Sequence, residues 1–105
     1  MEWFRRLYAG KLIESRKEDI VRDIDSGKMP PGVYLLVLSG NQNNLLEFFS
    51  VSELQHPYVR DHIPMILGIA FGQDEALFLT EQIVSDVYRA RGDADVRAWV
   101  RQMQG

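Results

Sequence analysis

Cysteine is absent from the 105-residue chain. That excludes a disulfide framework, a thiolate zinc or iron–sulfur site and a cysteine nucleophile, and it fits a reducing compartment. Histidine is scarce: His56 and His62 are the only two. Cations are scarce in the middle, where residues 29–71 carry Arg60 alone against Glu47, Glu53 and Asp61. The net charge of −3 marks no basic domain, so no nucleic-acid partner is expected. No apolar run approaches the roughly 20 residues that span a bilayer. The opening MEWFRRLYAGKLIE interleaves Glu2, Arg5, Arg6 and Lys11 with its apolar residues and lacks the h-region of a signal peptide. The expectation is a soluble, cytoplasmic protein with no membrane partner.

What is present suits one core. A chain that is 46% hydrophobic and 26% charged has the composition of an ordinary globular domain, here one domain over 1–105. Charge collects at the ends: seven Lys/Arg with six Asp/Glu in residues 1–28, and four Arg with six Asp/Glu in 72–105. The charge-poor middle reads as a buried sheet and the ends as solvent-facing helices.

Trp3, Phe4, Leu7 and Tyr8 fall on one helical stripe, and Ile20, Val21 and Ile24 repeat the pattern within SRKEDIVRDIDSG. Arg22 lies at helical-pair distance from Glu18 and Asp19. Gly27 then Pro30, Pro31 and Gly32 end the helix. VYLLVLS (33–39) and LLEFFSV (45–51) predict two strands, joined by the turn-forming GNQNN (40–44) into a hairpin. The strands are apolar at nearly every position, which predicts cover on both faces. Ser52 to Gln55 fits a short capped turn limited by Pro57 and Pro64. MILGIAF (65–71) predicts a third buried strand.

From Asp74 to Arg91, Ala76, Leu79, Ile83, Val87 and Ala90 line one helical face, with Leu77, Val84 and Tyr88 beside it. Asp74 and Glu75 suit the helix start, Arg89 and Arg91 its end, and Gly92 the stop. A last helix runs from an N-cap at Asp95 to Met103, with Val96, Trp99, Val100 and Met103 inward. The expected fold is a small α/β sandwich: a three-stranded sheet (hairpin plus one strand), an N-terminal helix and two C-terminal helices. The helices cover both faces, or one face is left for a partner; exposing it would cost about 25 cal/mol per Å².

Chemistry is thinly represented. Gly68 and Gly72 precede a helix start, a place that attracts anions. The spacing is G-x-x-x-G, neither the dinucleotide fingerprint nor a P-loop, and Asp74 and Glu75 repel a phosphate. Gly72 is therefore a ligand candidate only against those charges, while Gly68 in mid-strand predicts a close approach or a bulge. His56, Asp61 and His62, with Glu53 and Tyr58, form the one dense polar cluster of the middle. They are candidates for a ligand or acid–base site; their spacing fits no zinc motif, and His-Pro-Tyr also reads as a turn that packs an aromatic. No metal site or cofactor is expected. Glu47 is placed at a sheet edge or opposite a buried arginine. The serines lack a G-x-S-x-G setting. Arg89, Arg91, Arg97 and Arg101 are interleaved with Asp86, Asp93 and Asp95, which predicts ion pairing.

PPGVYLLVLSGNQNNLLEF and ILGIAFGQDEALFLTEQIVSDVYRARGDADVRAWV resemble a family of small uncharacterised bacterial proteins. The shared features are a Pro-Gly-led strand, an Asn-rich turn before Leu-Leu-Glu, a Gly-Ile-Ala-x-Gly corner and a closing Asp-Val-Arg helix. The resemblance implies a bacterial cytoplasmic protein and carries over no catalytic residue. The residues themselves favour a non-enzymatic interaction module, a homodimer or a protein partner, through two-sided strands and an exposed aromatic start at Trp3, Phe4 and Tyr8. The alternative is a small-molecule or anion binder, or a minor enzyme, using Gly72 or the His56/Asp61/His62 segment.

Overall fold

Strand β1 (Trp3–Ala9) opens the chain, followed by a 3-10 turn (Glu14–Arg16) and helix α1 (Lys17–Asp25). The hairpin strands β2 (Val33–Leu38) and β3 (Leu46–Ser50) come next. A second 3-10 turn (Val51–Gln55) and helix α2 (Pro57–Asp61) lead to β4 (Ile66–Phe71), α3 (Gln73–Arg91) and α4 (Val96–Gln104). The structure, a computed structural model, describes residues 1–40 and 45–104. Most of the GNQNN turn therefore lies outside the described residues.

The sheet has four strands in the order β1-β4-β2-β3, not three. The added strand is the segment whose spacing suggested a helix. WFRRLY spaces its apolar residues as a helix does and shows no apolar–polar alternation, so no local period marks it as a strand. The structure splits its apolar residues between two faces: Phe4 and Tyr8 join one core cluster, Trp3 and Leu7 the other. Pairing decides the outcome. β1 runs parallel to β4, with Trp3 opposite Ile66 and Tyr8 opposite Gly68, and the register shifts between them. Arg5 and Arg6 lie exposed on this edge strand, where charge discourages pairing with another chain. The N-terminal helix is accordingly confined to α1.

Each interior strand is buried on both faces. Leu35, Leu36, Ile66, Leu67, Ile69 and Ala70 are all 0% exposed, and a core methylene contributes about 0.8 kcal/mol. One face packs under α1 and the crossover that carries Val51 and Leu54. The other packs under α3 and α4, through Leu79, Ile83, Val87, Trp99 and Val100. α4 serves the β1 side, where the Trp99 ring lies 5.4 Å from Phe4 and 6.3 Å from Tyr8. Of the two arrangements that the sequence allowed, helices on both sides is the one found.

Gly68 shows both features expected of it. A Cβ there would stand 3.1 Å from the Tyr8 Cβ and 3.3 Å from a Leu79 methyl. The β2–β4 register also slips beside it, because Leu36 faces Gly68 while Val37 faces Ile66, leaving Leu67 as the extra residue of a bulge. Local signals fared well elsewhere. Asp95 caps α4 by accepting from the Ala98 N–H at 3.0 Å. Pro57 starts α2 rather than merely limiting the preceding turn, and Ser50 instead of Ser52 caps that turn. Between α3 and α4, Asp93 accepts from the Asp95 N–H and from Arg91, which hold its carboxyl below its ordinary value.

One side-chain bond ties α3 to the edge strand β1. The Tyr8 hydroxyl donates to Asp86 Oδ2 at 2.5 Å. Burial first, then that bond and the Asp86 charge, push the Tyr8 phenol above its ordinary value. An unfolded phenol ionises near pH 10, so this contribution is intact below about pH 10 and declines as pH rises past it. Tyr8→Phe is expected to cost about 1 kcal/mol at neutral pH. Its denaturation free energy is expected to fall less steeply than the wild type's above pH ~10. Equal slopes in urea titrations at several pH values would contradict this.

Candidate functional site

The sequence-picked polar residues fall at opposite ends of β4. His62 lies just before the strand and Gly72 just after it, so they do not form one site.

At the His62 end, a cleft of about 310 Å³ opens between the β2–β3 hairpin and α2. Val37, Phe49, Val59, Ile63 and Pro64 give it apolar walls, and Glu47, Glu53 and His62 give it polar groups. The imidazole is positioned by its own helix. Its ring stacks on Tyr58 at 4.0 Å and 19°, and its Nδ1 lies 2.7 Å from the Tyr58 carbonyl oxygen. A carbonyl only accepts, so Nδ1 carries the proton and Nε2 is left as the basic nitrogen. Glu47 is exposed on the edge strand and accepts from Ser39 Oγ at 3.2 Å. Arg97 of α4 donates to the Ser39 carbonyl, so the buried Ser39 links the arginine to the glutamate's neighbourhood.

The other two candidates stay outside. His56 Nε2 lies 3.7 Å from Glu53 Oε2, with both side chains about half exposed, and Asp61 is exposed and absent from the cleft lining. Among the described residues no group of three His, Cys, Asp or Glu can hold a metal ion. The described lining residues include two carboxylates and no Lys or Arg, with Arg97 held close by through Ser39. Sequence reasoning singled out His62 and placed Glu47 at a sheet edge, where it lies, but did not bring the two to one cleft, because that cleft forms only where α2 folds back over the hairpin.

At the other end, Gly72 caps α3 with φ 84°. The Glu75 carboxylate stands over this corner: Oε1 accepts from the Phe71 N–H at 2.8 Å and Oε2 from the Leu12 N–H at 3.2 Å. An incoming anion would meet a carboxylate already holding these donors. Gly10 makes room for it, since a Cβ there would lie 1.9 Å from Glu75 Oε1. The charge at the helix start, read from sequence as a dipole effect, is thus also a buckle between β4 and the β1–α1 loop.

The third feature is apolar. The aromatic start expected to be exposed is not: Phe4 is 2% exposed, Tyr8 is partly buried, and Trp3 is partly buried with its Nε1 donating to Asp25 at 2.9 Å. Instead α3 presents Leu77, Phe78 and Tyr88 outward, 50%, 68% and 62% exposed. Ala90, placed inward by its spacing, is exposed as well. A shallow groove on α3 runs past Thr80, Val84 and Tyr88. The arginines at the end of α3 are ion-paired as expected, Arg89 with Asp86 at 3.7 Å and Arg91 with Asp93 at 3.1 Å.

The chain matches no family model, no curated protein and no solved structure, so the resemblance to small bacterial proteins rests on the quoted segments alone. No helix among the described residues is long and apolar enough to cross a membrane.

The Glu75 buckle is testable by coupling. Glu75→Ala and Gly10→Ala are each expected to cost about 1–2 kcal/mol, the first by deleting the carboxylate and the second by evicting it. Because both break the same bonds, the double variant should cost less than the sum, by at least about 0.5 kcal/mol. Additive values in denaturant titrations would contradict the shared contact.

Proposed function

We propose that the protein is a non-enzymatic interaction module that associates with a second copy of itself. The observation that carries this reading is the outer surface of α3, where Leu77, Phe78 and Tyr88 stay exposed on a helix whose inner face is already satisfied. The sheet asks for no partner, since its own helices cover both faces. Leu77 and Tyr88 share one side of the helix, with Phe78 about 100° round from Leu77, and large apolar side chains left exposed on one helix suit a protein contact. A cysteine-free chain supports a reducing, cytoplasmic setting. The paired arginines of α3 support a protein rather than a nucleic-acid partner. Sedimentation velocity across a dilution series should show the 12.1 kDa monomer giving way to a species of twice that mass as concentration rises. A strict monomer up to millimolar concentration would end this reading.

A second reading has its own observation, the His62 cleft. Its volume of about 310 Å³ lies at the small end of ligand pockets, and Glu47 and Glu53 suit a small organic cation with an apolar body. A panel of primary amines should raise the melting temperature of the wild type more than that of Glu53→Gln, because a ligand that binds only the folded form stabilises it. The absence of any shift would remove this second reading.

A further inference from the structure

We infer that the second copy docks on α3 itself, in an antiparallel helix pair about a two-fold axis. This rests on the self-association proposed above and specifies its geometry. Asp74, Leu77, Glu81, Val84, Tyr88 and Arg91 follow one another at steps of three, four, three, four and three residues. That is the spacing by which one helix seams against another. All six are exposed or part-exposed, so the seam is not consumed by the protein's own core.

The rotation of α3 shows what this seam adjoins. At 3.6 residues per turn, the seam lies about 120° around the helix from the buried line of Ala76, Leu79, Ile83 and Val87, and Asp86 lies about 70° to the other side. Asp86 is bonded to Tyr8 of β1. β1 and β3 are the opposite edges of the sheet, so the seam faces the β3 edge. There Leu46 and Phe48 are half-buried against the same core cluster, and α3 packs directly against β3. Half-buried apolar side chains of β3 therefore lie on the side of α3 that the seam faces.

Charge selects the occupant and its direction. The seam is acidic at its start and basic at its end. It reads self-complementarily when reversed about a point between Gln82 and Ile83. Asp74 then meets the partner's Arg91, Leu77 meets the partner's Tyr88, and Glu81 meets the partner's Val84. A parallel pair would oppose Asp74 to Asp74 and Arg91 to Arg91. Arg91 is already bonded to Asp93 and Gln102, so the partner's Asp74 would join an existing network rather than meet a bare cation. Antiparallel helices also oppose their dipoles favourably. The two-fold makes one patch serve both copies, as a closed dimer requires. Glu81 facing an apolar residue keeps the contact weak and reversible.

The absence of cysteine permits a clean test. Leu77→Cys and Tyr88→Cys are made separately, and the full-length proteins are oxidised alone and mixed. In an antiparallel pair, Leu77 and the partner's Leu77 are about 16 Å apart along the axis, too far for a disulfide. Only the mixture should therefore give a cross-linked dimer. In parallel, Leu77→Glu should raise the dimer dissociation constant by at least about tenfold in sedimentation, with an unchanged circular dichroism melt as the folding control. A wild type that dimerises while Leu77→Cys cross-links with itself, the mixture fails to cross-link, or Leu77→Glu has no effect overturns this geometry and leaves self-association standing. A wild type that stays monomeric, including one that binds only a foreign helix, overturns both.

Discussion

Strand β4 has to be paired along both edges and covered on both faces, and the other elements can be understood as the means of doing so. β1 supplies one edge in parallel and β2 the other in antiparallel sense. Ile66 and Ile69 point into the layer formed by α1 and the crossover, Leu67 and Ala70 into the layer formed by α3 and α4. Gly68 faces the α3 layer, and its missing side chain leaves room for Tyr8 and Leu79. A side chain there would push β1 and α3 apart, and close-packed interiors do not absorb such shifts cheaply.

Because the chain closes this core unaided, apolar surface left outside has a different meaning. It is not a sheet face waiting for cover. It lies on α3, a helix with one side committed to β4 and the neighbouring side turned to solvent. The buried line of Ala76, Leu79, Ile83 and Val87 decides which side is which, and the bond from Tyr8 to Asp86 marks the flank nearest β1. The His62 cleft is separate, at the far end of β4 from the start of α3, and its acidic lining has no part in the helix seam.

The sequence was most legible where structure is local. The hairpin strands, the extent of α3, its stop at Gly92 and the Asp95 cap all depend on residues within a few positions of one another. β1 was illegible because WFRRLY has helical spacing and no strand alternation, and the strand that pairs with it begins about sixty residues later. The same distance hid the true surroundings of Trp3, Phe4 and Tyr8, which looked exposed and instead meet Asp25, Trp99 and Asp86. Of the candidate site, the conformation of His62 follows from Tyr58 four residues earlier. The company of Glu47, and the reach of Glu75 to Leu12, arise only once the strands are assembled.

The most direct measurement is the amide chemical shift of every residue as a concentrated sample is diluted. Association through α3 predicts shifts that move together with concentration at Leu77, Glu81, Val84 and Tyr88 and at Leu46 and Phe48 of β3, while His62, Tyr58 and the Glu75 corner stay fixed. Shifts centred on the His62 cleft or on the β1 edge, or none at any concentration, would contradict it.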